Sequence, residues 1–144
     1  MTPRSQLIGL MARTSRLYKM TLNAVLAENG IDLSSEMCGL LVELWREDAR
    51  SQQELALTLK KDKGGITRLV KSLYRRELVY PETDSSDRRR KKICLTSKGK
   101  ALRETIAPLL HKLRGAVLQE LSDTEIKTME KLLDRMVGNM KALP

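Results

Sequence analysis

Two amphipathic segments separated by three residues constrain this chain more than any other feature of its sequence. Ser51-Gln52-Gln53-Glu54 reads as a capping box, because Ser51 and Glu54 can each satisfy a backbone amide near the other. A short helix from Gln52 to Leu59 follows. Lys60-Lys61-Asp62 is then a tight turn, and Asp62 can cap a second helix whose buried stripe is Ile66, Leu69, Val70 and Leu73. Two helices joined by so short a turn, the second bearing Arg and Lys on its outer face, form a helix-turn-helix pattern. The pattern then changes. Leu78-Val79-Tyr80 is β-prone, and Pro81 restricts it to an edge or an end. Glu82 to Asp87 is turn-rich, and Ile93-Cys94-Leu95-Thr96 is β-prone again. The two strands form a hairpin with Arg88, Arg89, Arg90, Lys91 and Lys92 near its tip.

Helical arms flank this block. Leu7, Leu10, Met11, Leu17, Tyr18, Leu22, Val25 and Leu26 fit a helix ending near Asn29-Gly30. A second helix begins after Leu33, with Ser34 or Ser35 as its N-cap and Met37, Leu40, Leu41, Leu44 and Trp45 as its apolar face. After the hairpin, helical spacing returns with Leu102, Ile106, Leu109, Leu110, Leu113, Val117 and Leu121, and Pro108 predicts a kink or a break. Ser122-Asp123-Thr124-Glu125 is a second capping box. It opens a last helix with Ile126, Met129, Leu132, Leu133, Met136, Val137 and Met140 expected inward. The fold class is therefore mainly α with a small β-hairpin wing. One domain over residues 1–144 holds a winged helix-turn-helix lobe, about 34–99, between helical arms at about 4–29 and 101–142.

The charge is placed on the same block. The chain carries a net +9, and residues 51–100 hold fourteen of its 27 basic residues but only six of its 18 acidic ones. Such a concentration points to a polyanionic partner. An α-helix fits the DNA major groove, where base edges present a distinct pattern of donors and acceptors. The outer face of the 62–76 helix offers Lys63, Gly64, Gly65, Thr67, Arg68, Lys71 and Arg75. Its first turn and Arg68 are placed to reach bases, while Lys61, Lys71 and Arg75 are placed for phosphates. The hairpin tip can deliver an arginine into the narrow, electronegative minor groove.

Other chemistry is poorly supported by the residues. Cys38 and Cys94 are too few and too far apart for a disulfide framework or a four-ligand zinc site. His111, the only histidine, has no nearby carboxylate or thiol cluster, so no metal is expected. No nucleophile with a base, carboxylate dyad or phosphate loop is present, so no catalytic residue, cofactor or enzymatic activity is expected. No apolar run reaches the ~18–20 residues that span a bilayer, and the N-terminal segment lacks the pattern of a signal peptide. The expectation is a soluble cytoplasmic protein without a membrane partner, associated with the nucleoid when bound to DNA.

The stretch from Asp84 to Gly99 resembles the wing of MarR-family transcriptional regulators. Their pattern of Asp-x-Arg, five residues, Leu-Thr, two residues and Gly is met by Asp87, Arg89, Leu95, Thr96 and Gly99. Gly65 to Leu73 resembles the family's recognition helix, and the flanking arms match its architecture. The resemblance implies a homodimer joined by the first and last helices, bound to a palindromic operator on double-stranded DNA. It implies a repressor released by a small aromatic or anionic effector. By position, Arg89 is the minor-groove arginine, with Arg88 its close competitor and Arg90 beside them, and Asp87 supports Arg89 through an ion pair. Thr67 and Arg68 fall where the family's DNA-reading residues lie. The effector cavity expected between the dimerisation helices and the winged lobe has Met11, Tyr18, Leu40, Leu44, Trp45 and Leu110 as candidate walls. Members that sense peroxides carry a reactive cysteine in the first helix, and this first helix has none. One departure is the Gly64-Gly65 pair in the first turn of the recognition helix, since glycine in a helix costs roughly 1 kcal/mol relative to alanine. A nucleic-acid binder without operator specificity, architectural or RNA-binding, is the alternative; a protein-binding adaptor is a more distant one.

Overall fold

The computed structural model describes residues 1–144. The elements run α1 (Pro3–Glu28), α2 (Ser35–Arg46), β1 (Arg50–Ser51), α3 (Gln52–Leu59), α4 (Lys63–Arg75), β2 (Val79–Thr83), β3 (Lys91–Leu95), α5 (Ser97–Val117) and α6 (Asp123–Lys141). The chain divides into two compact units, Met1–Leu109 and Leu110–Pro144, and α5 runs through the boundary.

In the first unit α1 starts at the Thr2 cap with Pro3 in its first position and ends at Asn29, followed by Gly30 at φ +69°. Ser34, not Ser35, caps α2, accepting from the Met37 amide. α2 packs against α1, α3, α4 and β3, so it is the centre of the lobe. Its Cys38, Leu40, Leu41 and Leu44 meet the predicted α4 stripe in one core: Ile66, Leu69, Val70 and Leu73 are all buried, with Leu55, Leu78, Val79, Ile93 and Leu95. Ser51 caps α3 by accepting from the Glu54 amide. The reciprocal half of that capping box is missing, because Glu54 turns to Arg50, with Oε2 3.8 Å from Nε.

The wing is a three-stranded antiparallel sheet in the order β1-β3-β2. β2 and β3 are longer than their β-prone cores suggest, because Glu82 and Thr83 pair with Lys92 and Lys91. Those pairs are polar residues held by the ladder, not by propensity. Pro81 sits on the edge strand, where a missing N–H is tolerated. Thr96 ties the sheet to α5. Its amide donates to the Leu78 carbonyl, its hydroxyl donates to the Glu77 carbonyl, and its Oγ1 accepts from the Gly99 amide.

In the second unit Ser122 and Glu125 form the predicted capping box of α6 in both directions. Two expectations are corrected by α5 and α6. Of the kink or break expected at Pro108, the break does not occur: α5 continues through it, since a proline removes one backbone donor and the turns on either side hold the helix. The α6 stripe is not inward: Met129, Leu132, Leu133, Val137 and Met140 are all exposed, and only Ile126 and Met136 are half-buried. A unit of some two helical pieces has no second layer to cover that face.

Candidate nucleic-acid interface

Asp62 builds the front of α4. Its Oδ1 accepts from the Gly65 amide at 2.6 Å, which fixes the first turn. A side chain at residue 65 would crowd that carboxylate, since a Cβ there would lie 2.8 Å from Asp62 Oδ1. Gly65 is therefore explained by the cap. At Gly64 a Cβ would meet only ordinary contacts, 3.6 Å from Arg68 Nη1 and 3.9 Å from Asp62 Oδ1. The outer face of α4 presents Lys63, Gly64, Arg68, Lys71 and Arg75 to solvent.

Two predicted members of this face are engaged elsewhere. Thr67 is half-buried, with Oγ1 2.8 Å from the Lys63 carbonyl oxygen and 3.3 Å from Gln52 Oε1. Its single hydroxyl proton is already used within the helix-turn-helix. Lys61 Nζ lies 3.2 Å from Glu36 Oε1, so this cation has a carboxylate partner from the start of α2. Glu36, Gln52 and the exposed Tyr74 on α4 were not singled out in the sequence. Glu36 could not have been, because its partner is 25 residues away and only the fold brings them together.

The wing tip is a set of local turns. Asp84 Oδ1 accepts from both the amide and the hydroxyl of Ser86, which hold the Asp84 carboxyl below its ordinary pKa. Asp87 Oδ1 accepts from the Arg89 amide at 2.9 Å, and the Arg90 amide donates to the Asp87 carbonyl. Asp87 thus supports Arg89 through the backbone; the expected side-chain ion pair does not form, because the carboxylate is turned inward to shape the loop. Arg88, Arg89 and Arg90 are exposed and take part in no ion pair. Lys91 and Lys92 belong to β3, not to the tip.

The six candidate effector-pocket residues are placed differently from one another. Leu40 and Leu44 are core, at 0% and 1% exposure. Trp45 donates its indole N–H to the Gly99 carbonyl at 2.9 Å. Met11 and Tyr18 are half-buried on α1, and Leu110 falls in the second unit. A groove of about 550 Å³ does open in the first unit, but between α2 and α4, lined by Ser34, Met37, Lys61, Asp62, Gly65 and Arg68 among others.

Cys38 and Cys94 are buried. Burial pushes the Cys94 thiol up to about 11, helped by Glu82, whose Oε2 accepts from Sγ at 3.3 Å. A thiol held protonated is a poor nucleophile. His111 is exposed, and no group of His, Cys, Asp and Glu is arranged to hold a metal ion.

Residues 33–91 match the model of the MarR family. Among solved structures, the transcriptional regulator SlyA shares 27% identity with a TM-score of 0.79, covering 96% of this chain and 94% of its own. The Staphylococcus aureus MepR–DNA complex shares 25% identity with a TM-score of 0.82, covering 96% and 98%. A MarR transcriptional regulator from Methanosarcina mazei Go1, at 24% identity, has the same fold with a TM-score of 0.81 over 96% and 99% of the two chains. The family match falls on the lobe that carries the capped α4 and the arginine-tipped wing, and the fold match extends over nearly all of the sequence: the chain is similar to the MarR family over that lobe and shares the fold of MarR transcriptional regulators.

Proposed function

We propose that this protein is a sequence-specific DNA-binding transcriptional regulator, a homodimeric repressor that sits on a palindromic operator and leaves it when a small aromatic or anionic effector binds. The observation that carries the reading is the α4 face. Lys63, Arg68, Lys71 and Arg75 stand exposed on one side of a helix whose other side is core. In the same compact unit the wing holds three further exposed arginines. A recognition helix in the major groove with a wing in the minor groove uses both sets. The solved complex of the related MepR with DNA supports the same partner. In this reading Arg68 and Lys63 meet base edges, Lys71 and Arg75 meet phosphates, and Arg89, with Arg88 and Arg90, enters the minor groove. Gly64, Gly65, Thr67 and Lys61 shape the approach. Within the first unit, Met11, Tyr18 and Trp45 remain the proposed effector walls.

The arms α1 and α6 join two copies. Both leave apolar side chains exposed, among them Leu7, Leu10 and Leu17 on α1 and Leu132 and Leu133 on α6. A dimer supplies two recognition helices about one DNA turn apart, as a palindrome requires. An effector acts only through its differential affinity for the two spacings of the winged lobes. The relatives are regulators rather than enzymes. No helix is long and apolar enough to cross a membrane, and the proposed place of action is the cytoplasm, on the chromosome.

A mobility-shift titration of the wild type and Arg89→Ala against the DNA upstream of its own gene tests this. Arg89→Ala should bind at least tenfold more weakly with an unchanged circular dichroism spectrum. Equal affinity of the two proteins contradicts the wing assignment.

A further inference from the structure

Gly64, the second residue of α4, has no steric reason to be glycine. Its backbone is helical rather than left-handed, and a Cβ there would touch Arg68 and Asp62 only at ordinary distances. Helix propensity favours any ordinary side chain over glycine at this position. Gly65 differs, because the Asp62 cap occupies the space its Cβ would need. Arg68 stands one turn after Gly64, and helical side chains lean toward the N-terminus of their helix. Accordingly the Arg68 guanidinium lies against the bare first turn, with Nη1 3.6 Å from the Cβ position of Gly64 and Nη2 3.9 Å from that of Gly65. No ion pair holds it there. The N-terminal end of a recognition helix is the end that meets base edges.

We propose that Gly64 determines DNA specificity by leaving a bare track along the first turn of α4, over which Arg68 reaches a guanine in the operator half-site. This rests on the operator-binding reading above. An arginine paired with the O6 and N7 of guanine discriminates against other bases by roughly tenfold to a hundredfold. A long side chain at residue 64 lies across that track and displaces the guanidinium, whereas the helix itself is not harmed.

The test is selection from a pool of duplexes with a randomised central window, using the full chain as wild type, Gly64→Gln, Gly64→Ala, Arg68→Ala and the Gly64→Gln/Arg68→Ala double variant. Thermal unfolding is followed in parallel. Gly64→Gln should melt no lower than wild type, yet lose preference for one guanine that Arg68→Ala also loses, and the double variant should be no worse than Arg68→Ala. Gly64→Ala, whose Cβ fits beside Arg68, should keep the preference. If the wild type selects a defined site and Gly64→Gln selects the same site with the same preference, the inference is overturned while operator binding stands. If the wild type enriches no sequence at all, the operator reading fails and takes this inference with it.

Discussion

A Cβ on Gly99 would collide with the Leu78 carbonyl oxygen, well inside van der Waals contact. The same glycine donates its amide to Thr96 and accepts the Trp45 indole at its carbonyl. The Leu95-Thr96-x-x-Gly99 part of the motif is thus a joint between wing and α5 and has no need to touch DNA. Gly99→Ala should lower the stability by about 2 kcal/mol or more in urea unfolding. Gly115→Ala, in the same helix with nothing within 4 Å of its Cβ position, should be neutral or stabilising by up to about 1 kcal/mol. Equal effects of the two would refute the joint. Cys94 gives a pH prediction with a definite sign. Its thiol is raised from 9.0 to about 11 in the folded protein. The protonated form is therefore favoured by folding, and this contribution is fully present below pH 9. Stability should fall as pH rises from 9 toward 11, and fall less in Cys94→Ser. Maleimide labelling of the native Cys38→Ser protein at neutral pH should be slow; rapid labelling would reopen a sensing role. These residues also show what sequence reading can reach. The spacing of Asp87, Arg89, Leu95, Thr96 and Gly99 was visible along the chain. The way Asp87 acts, through the Arg89 amide, was not, because an Asx turn and an ion pair use the same two residues.

Among the elements, the helix-turn-helix was the most legible, for a physical reason. Caps and stripes are local, and Asp62, Ser122 and the Ile66-Leu69-Val70-Leu73 face all act within four residues of the helix they define. Strand β1 was invisible, since two residues carry no period and Arg50 and Ser51 are extended only because Ile93 and Lys92 pair with them. The Lys61–Glu36 pair between the α3–α4 turn and α2 is long-range in the same sense. It also makes a prediction. Glu36 competes with DNA phosphates for Lys61, so Glu36→Gln should tighten DNA binding several-fold. It should also steepen the salt dependence of log K by about 0.9, the value for one added phosphate contact. An unchanged slope would mean that Lys61 serves the turn alone. Removing the α4 cap with Asp62→Ala should cost about 1 kcal/mol of stability.

For the whole molecule the clearest departure from the sequence reading is α6. Its periodicity predicted a buried stripe, and that stripe is present but uncovered in the single chain. Periodicity reports that a face is apolar, not which chain covers it. The proposed answer is a second copy, and light scattering at micromolar concentration should give twice the 16.4 kDa of one chain. Leu133→Glu should shift that mass toward the monomer and weaken operator binding together. The central claim, that the basic winged lobe recognises a DNA sequence and not merely a polyanion, is tested most directly by one comparison. The wild-type protein is titrated against its best selected duplex and a scrambled duplex of equal length, at two salt concentrations. The account predicts a preference of ~10³ or more, with both affinities falling steeply as salt rises. Equal binding to the two duplexes, or no binding at low salt, would contradict it.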